Sequence, residues 1–360
     1  MWLLNEQVYA AHTAPGLEMV AWEEIQARLG PASLVKRGEG LFLFTYDGPP
    51  SGLLGLRTTE DIFAVIHYSL DLVTDRRGLS QIHDGLVTAP AFEAALGVYR
   101  EVHPRRVKRI TYRVVVQKKG RHAFRRLDAQ EYAIKAIQER YGRWKFLPED
   151  AHLEVWLDIQ DKLAVSMIRL SERTMRHRKY KLAHIPASLR PTIAYAMVFL
   201  SAPQDQDVFL DPMCGAGTIL IERALGGRAA AIIGGDLDAE AVAAAQMNSA
   251  PYPRIQLVRW DATHLPLAAG TVHKVVSNLP FGKQIGSPER NETLYRGFFA
   301  EMDRVLAPRG RAVLLSSERG LLGSLLRERI FTSRRTLPVT VLGQAAAIYV
   351  LERTQELGDI

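Results

Sequence analysis

The second half of this chain contains several strand-like runs that end on a residue able to hold a ligand atom. The last of them ends in a form suited to amine chemistry. Asn278-Leu279-Pro280-Phe281-Gly282 follows the apolar run His273–Ser277, which reads as a buried strand ending at the Asn. At such an end the Asn side-chain oxygen and the Leu279 carbonyl can both accept from one exocyclic NH2. Pro280 makes the turn rigid and offers no donor, and Phe281 can stack on a base. Acceptors on both N–H groups draw the nitrogen lone pair out of ring conjugation and toward a methyl donor, which is what amino-directed nucleobase methylation needs. Alone, an Asn-x-Pro turn more often just ends a strand, so what precedes it decides the reading.

A nucleotide-type site precedes it. Asp207–Asp211 reads as a short strand, followed by Pro212-Met213-Cys214-Gly215-Ala216-Gly217-Thr218 and the helical run Ile219–Leu225. Glycines at a strand-to-helix turn let a ligand approach the backbone and leave helix N–H groups facing it. About twenty residues on, Ala231–Gly235 leads to Asp236, whose carboxylate can accept from both ribose hydroxyls. The run Ile255–Trp260 leads to Asp261, placed to take an adenine amino group. A nicotinamide or flavin site would want Gly-x-Gly-x-x-Gly, but the third position is Leu220. S-adenosylmethionine has no pyrophosphate to cradle, so two glycines and a strand-end acid suffice, with Asp211 near the cationic methionine end. The bland alternative is that each acid caps the helix after it. Three acids at successive strand ends, with an Asn-x-Pro-Phe at the fourth, favour the ligand reading.

Asp-Pro-Met-Cys-Gly-Ala-Gly-Thr with Asn-Leu-Pro-Phe-Gly-Lys closely resembles the class I methyltransferases that carry a THUMP RNA-binding domain and form N2-methylguanosine in tRNA. Upstream, Pro186-Ala187-Ser188-Leu189-Arg190-Pro191-Thr192 is similar to that family's segment packed across the cofactor. Thr13–Glu18 is similar to the opening of its ferredoxin-like domain, and Val116–His122 to the basic strand end of a THUMP domain. The resemblance implies a Rossmann-like class I methyltransferase domain, a parallel sheet with an antiparallel last strand, preceded by α+β ferredoxin-like and THUMP domains. It implies S-adenosylmethionine held by Pro186, Ala187, Ser188, Asp211, Cys214, Gly215, Gly217, Thr218, Asp236, Leu237, Asp261, Ala262 and Asn278. Asn278, Leu279, Pro280 and Phe281 are the expected catalytic turn, and an acceptor-stem guanosine at position 6 the expected target.

Composition agrees. A chain of 360 residues with 47% hydrophobic content is long enough for two or three domains. No apolar run approaches the ~18 residues of a membrane helix. The start, Met1–Glu6, shows no basic n-region or long apolar segment, so no secretory leader is expected. One cysteine excludes an internal disulfide, no Cys/His cluster has metal-ligand spacing, and Cys214 reads as a small packing residue. A reducing cytoplasm is the expected compartment.

Charge is uneven. Lys+Arg 46 against Asp+Glu 39 leaves only +7, yet Arg100–Arg126 holds eleven basic residues against Glu101, and Arg169–Arg190 is similar. One charge run is usually a solvated face. Two such runs flanking one domain read as a phosphate-binding track, with Lys118, Lys119, Arg121, Arg125, Arg176, Lys179 and Lys283 as candidate RNA contacts. Expected partners are tRNA, engaged at the acceptor stem and 3′ end, with no membrane and no metal, and the chain is expected to act as a monomer.

The pattern predicts a ferredoxin-like unit over 1–60 with strands Val8–Thr13 and Leu41–Tyr46 and a helix Leu17–Leu29. A THUMP unit over 61–171 follows, with strands Ile62–Ser69, Ile110–Val116, His152–Ile159 and Ala164–Leu170 and a helix Asp128–Tyr141 capped by Asp128. Residues 172–184 read as a basic linker. From 185 to 360 the βαβ order implies the methyltransferase domain, ending in two strands, Arg335–Leu342 and Ala346–Glu352, joined at Gly343. Alternatives stay open: an rRNA guanine-N2 enzyme, a DNA adenine-N6 enzyme, and a non-catalytic RNA-binding protein with a degenerate methyltransferase fold.

Overall fold

The computed structural model describes residues 7–104, 109–172, 174–183, 185, 188–280, 288–327, 331–341 and 343–354. The chain divides into two units, one formed by residues 1–13 and 21–175 and the other by 14–20 and 176–360. The boundary at Met175/Arg176 falls inside the stretch read as a linker.

The first unit runs β1 (Val8–His12), α1 (Glu18–Leu29), β2 (Ala32–Arg37), β3 (Leu41–Tyr46), α2 (Pro50–Leu53), β4 (Asp61–Ser69), α3 (Arg77–Thr88), α4 (Ala91–Val102), β5 (Thr111–Lys119), α5 (Arg126–Arg140), β6 (Lys145–Phe146), β7 (Leu153–Gln160) and β8 (Leu163–Arg169). One sheet of order β2-β3-β1-β4-β8-β7-β5-β6 joins them. Its β1–β4 pairing links the 1–60 and 61–171 segments edge to edge. Two helices, α3 and α4, lie where no helix was read. Their buried residues are spaced at helical intervals, Leu79, Ile82 and Leu86 on α3 and Phe92, Ala95 and Leu96 on α4, so the periodicity was there to be used.

Asp128 is not the helix cap. Arg125 holds the cap position of α5, and Asp128, three residues on, reaches back to accept from the Arg125 backbone N–H at 2.8 Å. This is one half of a capping box, so an acid in the first turn mimicked the cap in sequence.

The second unit runs α6 (Pro191–Leu200), β9 (Val208–Asp211), α7 (Thr218–Leu225), β10 (Ala231–Asp236), α8 (Ala239–Ser249), β11 (Ile255–Arg259), β12 (Val272–Asn278), α9 (Pro288–Val305), β13 (Leu306–Ser316), α10 (Arg319–Arg327), β14 (Phe331–Val341) and β15 (Gln344–Arg353). Its sheet has the order β11-β10-β9-β12-β13-β15-β14. Strands β11 to β13 are parallel and β15 is antiparallel to both neighbours. Alternate residues of each strand face opposite sides. Val276, Val313 and Leu315 pack with α6, α7 and α8, while Val275, Ala312 and Leu314 pack with α9 and α10. This is the layering of a class I methyltransferase. Among the described residues no helix is long and apolar enough to cross a membrane.

Leu220, where a dinucleotide fold would have its third glycine, is accommodated from the other side. A Cβ on Gly234 of β10 would stand 2.2 Å from the Leu220 side chain. The strand supplies the space that the helix does not. Gly235 is tighter still, because its Cβ would stand 2.2 Å from the Val258 carbonyl oxygen of β11 and 2.5 Å from the Trp260 ring. Gly235→Ala is therefore expected to destabilise the protein by about 1–3 kcal/mol, as overpacking does. The control Gly323→Ala, in open space on α10, is expected to be neutral or stabilising by about 0.5–1 kcal/mol. Urea unfolding midpoints check both, and matching midpoints would refute the close β10–β11 approach.

Candidate active site

Strand order reverses direction between β9 and β12, since β10 lies on one side of β9 and β12 on the other. Ligands of open α/β sheets bind in the crevice at such a switch point, beyond the carboxyl ends of the strands. Asp211, Asp236 and Asn278 are the last residues of β9, β10 and β12, and Asp261 lies just past β11. Four residues nominated from separate stretches therefore lie along one sheet edge.

Asp211 is fully buried. Its Oδ1 accepts from the Ser277 hydroxyl at 2.9 Å and from the Met213 N–H at 3.4 Å. Burial pushes its carboxyl up to about 7. The two donors pull it down, and the Asp236 charge adds to the rise. Asp236 accepts from the Gly215 N–H at 2.9 Å and the Asp238 N–H at 3.1 Å, which ties the end of β10 to the glycine turn. Gly215 (φ 51°) and Gly217 (φ 78°) occupy the left-handed region, where a side chain is strained. Gly217 holds the N-cap position of α7, and Thr218 is its buried first residue. Cys214 is buried, and that burial pushes its thiol well up, which suits packing rather than nucleophilic chemistry. Asp261 does cap its own turn, since Oδ1 accepts from the Thr263 N–H at 2.9 Å and hydroxyl at 2.7 Å. Those bonds hold its carboxyl below the usual range. It remains exposed, beside buried Ala262, and Leu237 after β10 is exposed as well.

At the end of β12 the Asn278 Oδ1 is buried and has no hydrogen-bond partner among the described residues. The Leu279 N–H donates to the Leu315 carbonyl at 3.0 Å, and the Pro280 carbonyl accepts from the Tyr295 hydroxyl at 2.9 Å. Phe281, Lys283, Pro186 and Ala187 lie outside the described residues.

Ser188 Oγ accepts from Lys181 Nζ at 2.9 Å, as does the Leu189 carbonyl at 3.0 Å. Nearby Tyr180 donates to the fully buried Glu222 at 2.7 Å, and Arg178 pairs with the same carboxylate at 3.4 Å. Asn248 was missed from sequence. Its Oδ1 accepts from the Leu182 and Ala183 N–H groups, and its Nδ2 donates to the Ala183 and Ala216 carbonyls. One buried amide thus joins the segment before Ser188 to the glycine turn. The available signal was a polar residue seven positions after Ala241, on the apolar stripe of α8. Trp260 was also missed, and its indole donates to the Pro212 carbonyl at 3.0 Å.

The basic runs divide into structural and exposed residues. Arg169 is buried against Asp61 at 2.9 Å and Glu154 at 3.2 Å, and Arg113 also pairs with Glu154. With Arg178 and Lys181, these are spent on internal contacts and do not form a solvated track. Lys118 lies over the Phe124 ring, Lys119 pairs with Glu39, and Arg125 pairs with Asp128. Arg121, Arg176 and Lys179 are exposed. Arg105, Arg106 and Lys108 lie outside the described residues.

Residues 178–344 match the family described as RMKL-like, methyltransferase domain. The chain is 35% identical over 266 residues to the tRNA (guanine(6)-N(2))-methyltransferase THUMP3 of Bos taurus, covering 69% of this chain and 52% of that protein. It therefore spans about half the length of that mammalian relative. It is 29% identical to the tRNA (guanine(6)-N2)-methyltransferase of Thermus thermophilus, covering 68% of this chain and 72% of that one. The crystal structure of TrmN from Thermus thermophilus superimposes with a TM-score of 0.78 at 25% identity, covering 96% of this chain and 99% of that one.

The raised Asp211 carboxyl carries a stability prediction. Unfolded, the group ionises near 3.8, and folded only near 7. The folded state therefore binds the extra proton between those values. The stabilisation is complete below the unfolded value and is lost as pH rises through the folded one. Without ligand, the wild type is expected to lose on the order of 1–4 kcal/mol more than Asp211→Asn between about pH 4 and pH 7. Urea unfolding at stepped pH measures this, and parallel curves would mean that Asp211 is ionised throughout.

Proposed function

We propose that this chain transfers a methyl group from S-adenosylmethionine to the N2 amine of a guanosine in tRNA, at acceptor-stem position 6. The observation that carries this reading is the buried Asn278 Oδ1, an acceptor with no donor among the described residues, at the strand end next to Asp211. An unpaired buried acceptor costs about 1–3 kcal/mol, and a substrate N–H would relieve that. The names borne by the mammalian and Thermus relatives support guanine N2 in tRNA as the target.

The residues present fit the cofactor. Two left-handed glycines keep the turn open, and the carboxylates of Asp211 and Asp236 favour a cationic ligand with ribose hydroxyls. Asp236 and Leu237 would hold the ribose side, Asp261 and Ala262 the adenine, and Asp211, Cys214, Gly215, Gly217 and Thr218 the methionine end, with Pro186, Ala187 and Ser188 packed across it. When bound, S-adenosylmethionine supplies an electrophilic methyl group already activated by its sulfonium charge.

Asn278 Oδ1 and the Leu279 carbonyl accept from the two N–H groups of the guanine amine, so its lone pair points out of the ring plane. Phe281 stacks on the base, which must leave its helix at a few kcal/mol. Positioning carries most of the catalysis, because little acid–base work is required. The first unit is read as the ferredoxin-like and THUMP segments that bind the RNA. Arg121 and Lys118 are its phosphate contacts, aided by Lys119, Arg125, Arg176, Lys179 and Lys283, in a cytoplasmic monomer.

Asn278→Ala is expected to keep cofactor and tRNA affinity while kcat falls roughly a hundredfold or more. Mass spectrometry of nucleosides from tRNA incubated with labelled cofactor reads both rate and product. Label in adenosine, label only in rRNA, or full activity from Asn278→Ala would each sink the reading. Reversing charge at Lys118 and Arg121 together should lower the log–log salt slope of tRNA binding by about two. An unchanged slope would remove those residues from the RNA surface.

A further inference from the structure

Resting on the amine-methylation reading above, we infer that Tyr295 is a positioning residue of the reaction, which holds the acceptor turn through a one-way hydrogen-bond relay. Tyr295 lies on α9 and is fully buried, as is Ser316 at the end of β13. The Tyr295 hydroxyl is 2.9 Å from the Pro280 carbonyl and 2.9 Å from Ser316 Oγ. Ser316 Oγ in turn accepts from the Glu318 N–H at 3.0 Å.

Only one arrangement of hydrogens satisfies these contacts. The Pro280 carbonyl can only accept, so the phenol spends its single hydrogen there. At Ser316 the phenol must then accept, so the serine hydroxyl donates to it. The Glu318 amide, which can only donate, closes the other end. Donors in such a chain polarise one another, so the last bond, onto Pro280, is the strengthened one. Burial pushes the phenol's ionisation up, which keeps it a donor.

The relay matters because of where it ends. Residue 280 is a proline and has no N–H to anchor it, so its carbonyl is the remaining backbone handle. The Leu279 N–H on the Leu315 carbonyl is the second anchor, one residue before Ser316. Both therefore fix the turn to the end of β13. With the Pro280 carbonyl occupied, the acceptors offered to the amine are Asn278 Oδ1 and the Leu279 carbonyl. The peptide between residues 279 and 280 is gripped on both sides. Tyr295 does not touch the substrate and takes no proton. It sets the angle at which the two acceptors meet the amine.

Tyr295→Phe keeps the buried ring and deletes only the hydroxyl. Affinity for S-adenosylhomocysteine and for tRNA is expected to be unchanged and the unfolding temperature to fall only modestly, as the Pro280 carbonyl and Ser316 hydroxyl lose their partner, while kcat at saturating cofactor and tRNA falls about 10- to 100-fold, as for a small misplacement of reacting groups. Ser316→Ala should lower kcat less, and the double variant should be no slower than Tyr295→Phe, because both act through one bond. Wild-type kcat in Tyr295→Phe, or loss of cofactor affinity in step with kcat, would overturn the inference. If Tyr295→Phe fails to fold, the same comparison is made on Ser316→Ala, where wild-type kcat overturns it. Failure of the function reading is separately visible: wild-type enzyme then leaves no label in N2-methylguanosine, and the kcat comparison is read on whichever amine is labelled.

Discussion

The strand β12 ends on a buried oxygen that has no hydrogen-bond partner among the described residues. The Asn278 Oδ1 would be relieved by any rotation that brought it to water or to a neighbouring N–H. The backbone that carries it is held because β12 is hydrogen-bonded on both sides, to β9 and to β13, and because Leu279 and Pro280 are tied to β13 and α9.

Charge along the same edge is organised on the opposite principle from the surface. Burial raises the Asp211 carboxyl, the Ser277 and Met213 donors only partly offset that, and the nearby Asp236 charge adds to the rise. Such an edge favours a cation. The proposed cofactor brings positive charge at both its ammonium and its sulfonium, so it would settle the repulsion when it binds. Exposed Arg and Lys residues elsewhere suit the phosphates of the proposed RNA.

The glycine turn is held from several directions. Asn248 joins it to the segment before Ser188, Trp260 holds Pro212, and Asp236 holds Gly215. Glu222, buried on α7, takes Tyr180 and Arg178. Removing one partner would leave a charge buried and unpaired, which is far more destabilising than losing an exposed pair. Arg178 is therefore spent on the fold, although its charge in sequence reads as part of an RNA track.

The strand-end residues were legible in sequence because they depend on local rules. An apolar run of strand length, a following acid or Asn, and glycines before a helix are all set by neighbours in the chain, and the parallel sheet then aligns the strand ends. Asp211, Asp236, Asp261 and Asn278 could be named on that basis. The partners that hold them could not. Tyr295 lies 15 residues from Pro280, and Asn248 lies 32 residues from Ala216. A buried side chain chooses its hydrogen-bond partner by proximity in the folded core. The same holds for Arg169 and Arg178, whose charge was visible but whose burial against Asp61 and Glu222 was not. Sequence by itself determined which residues end the strands and what chemistry they offer. Tertiary structure alone decided which polar groups were already satisfied, and it left the buried Asn278 Oδ1 among those with no hydrogen-bond partner among the described residues.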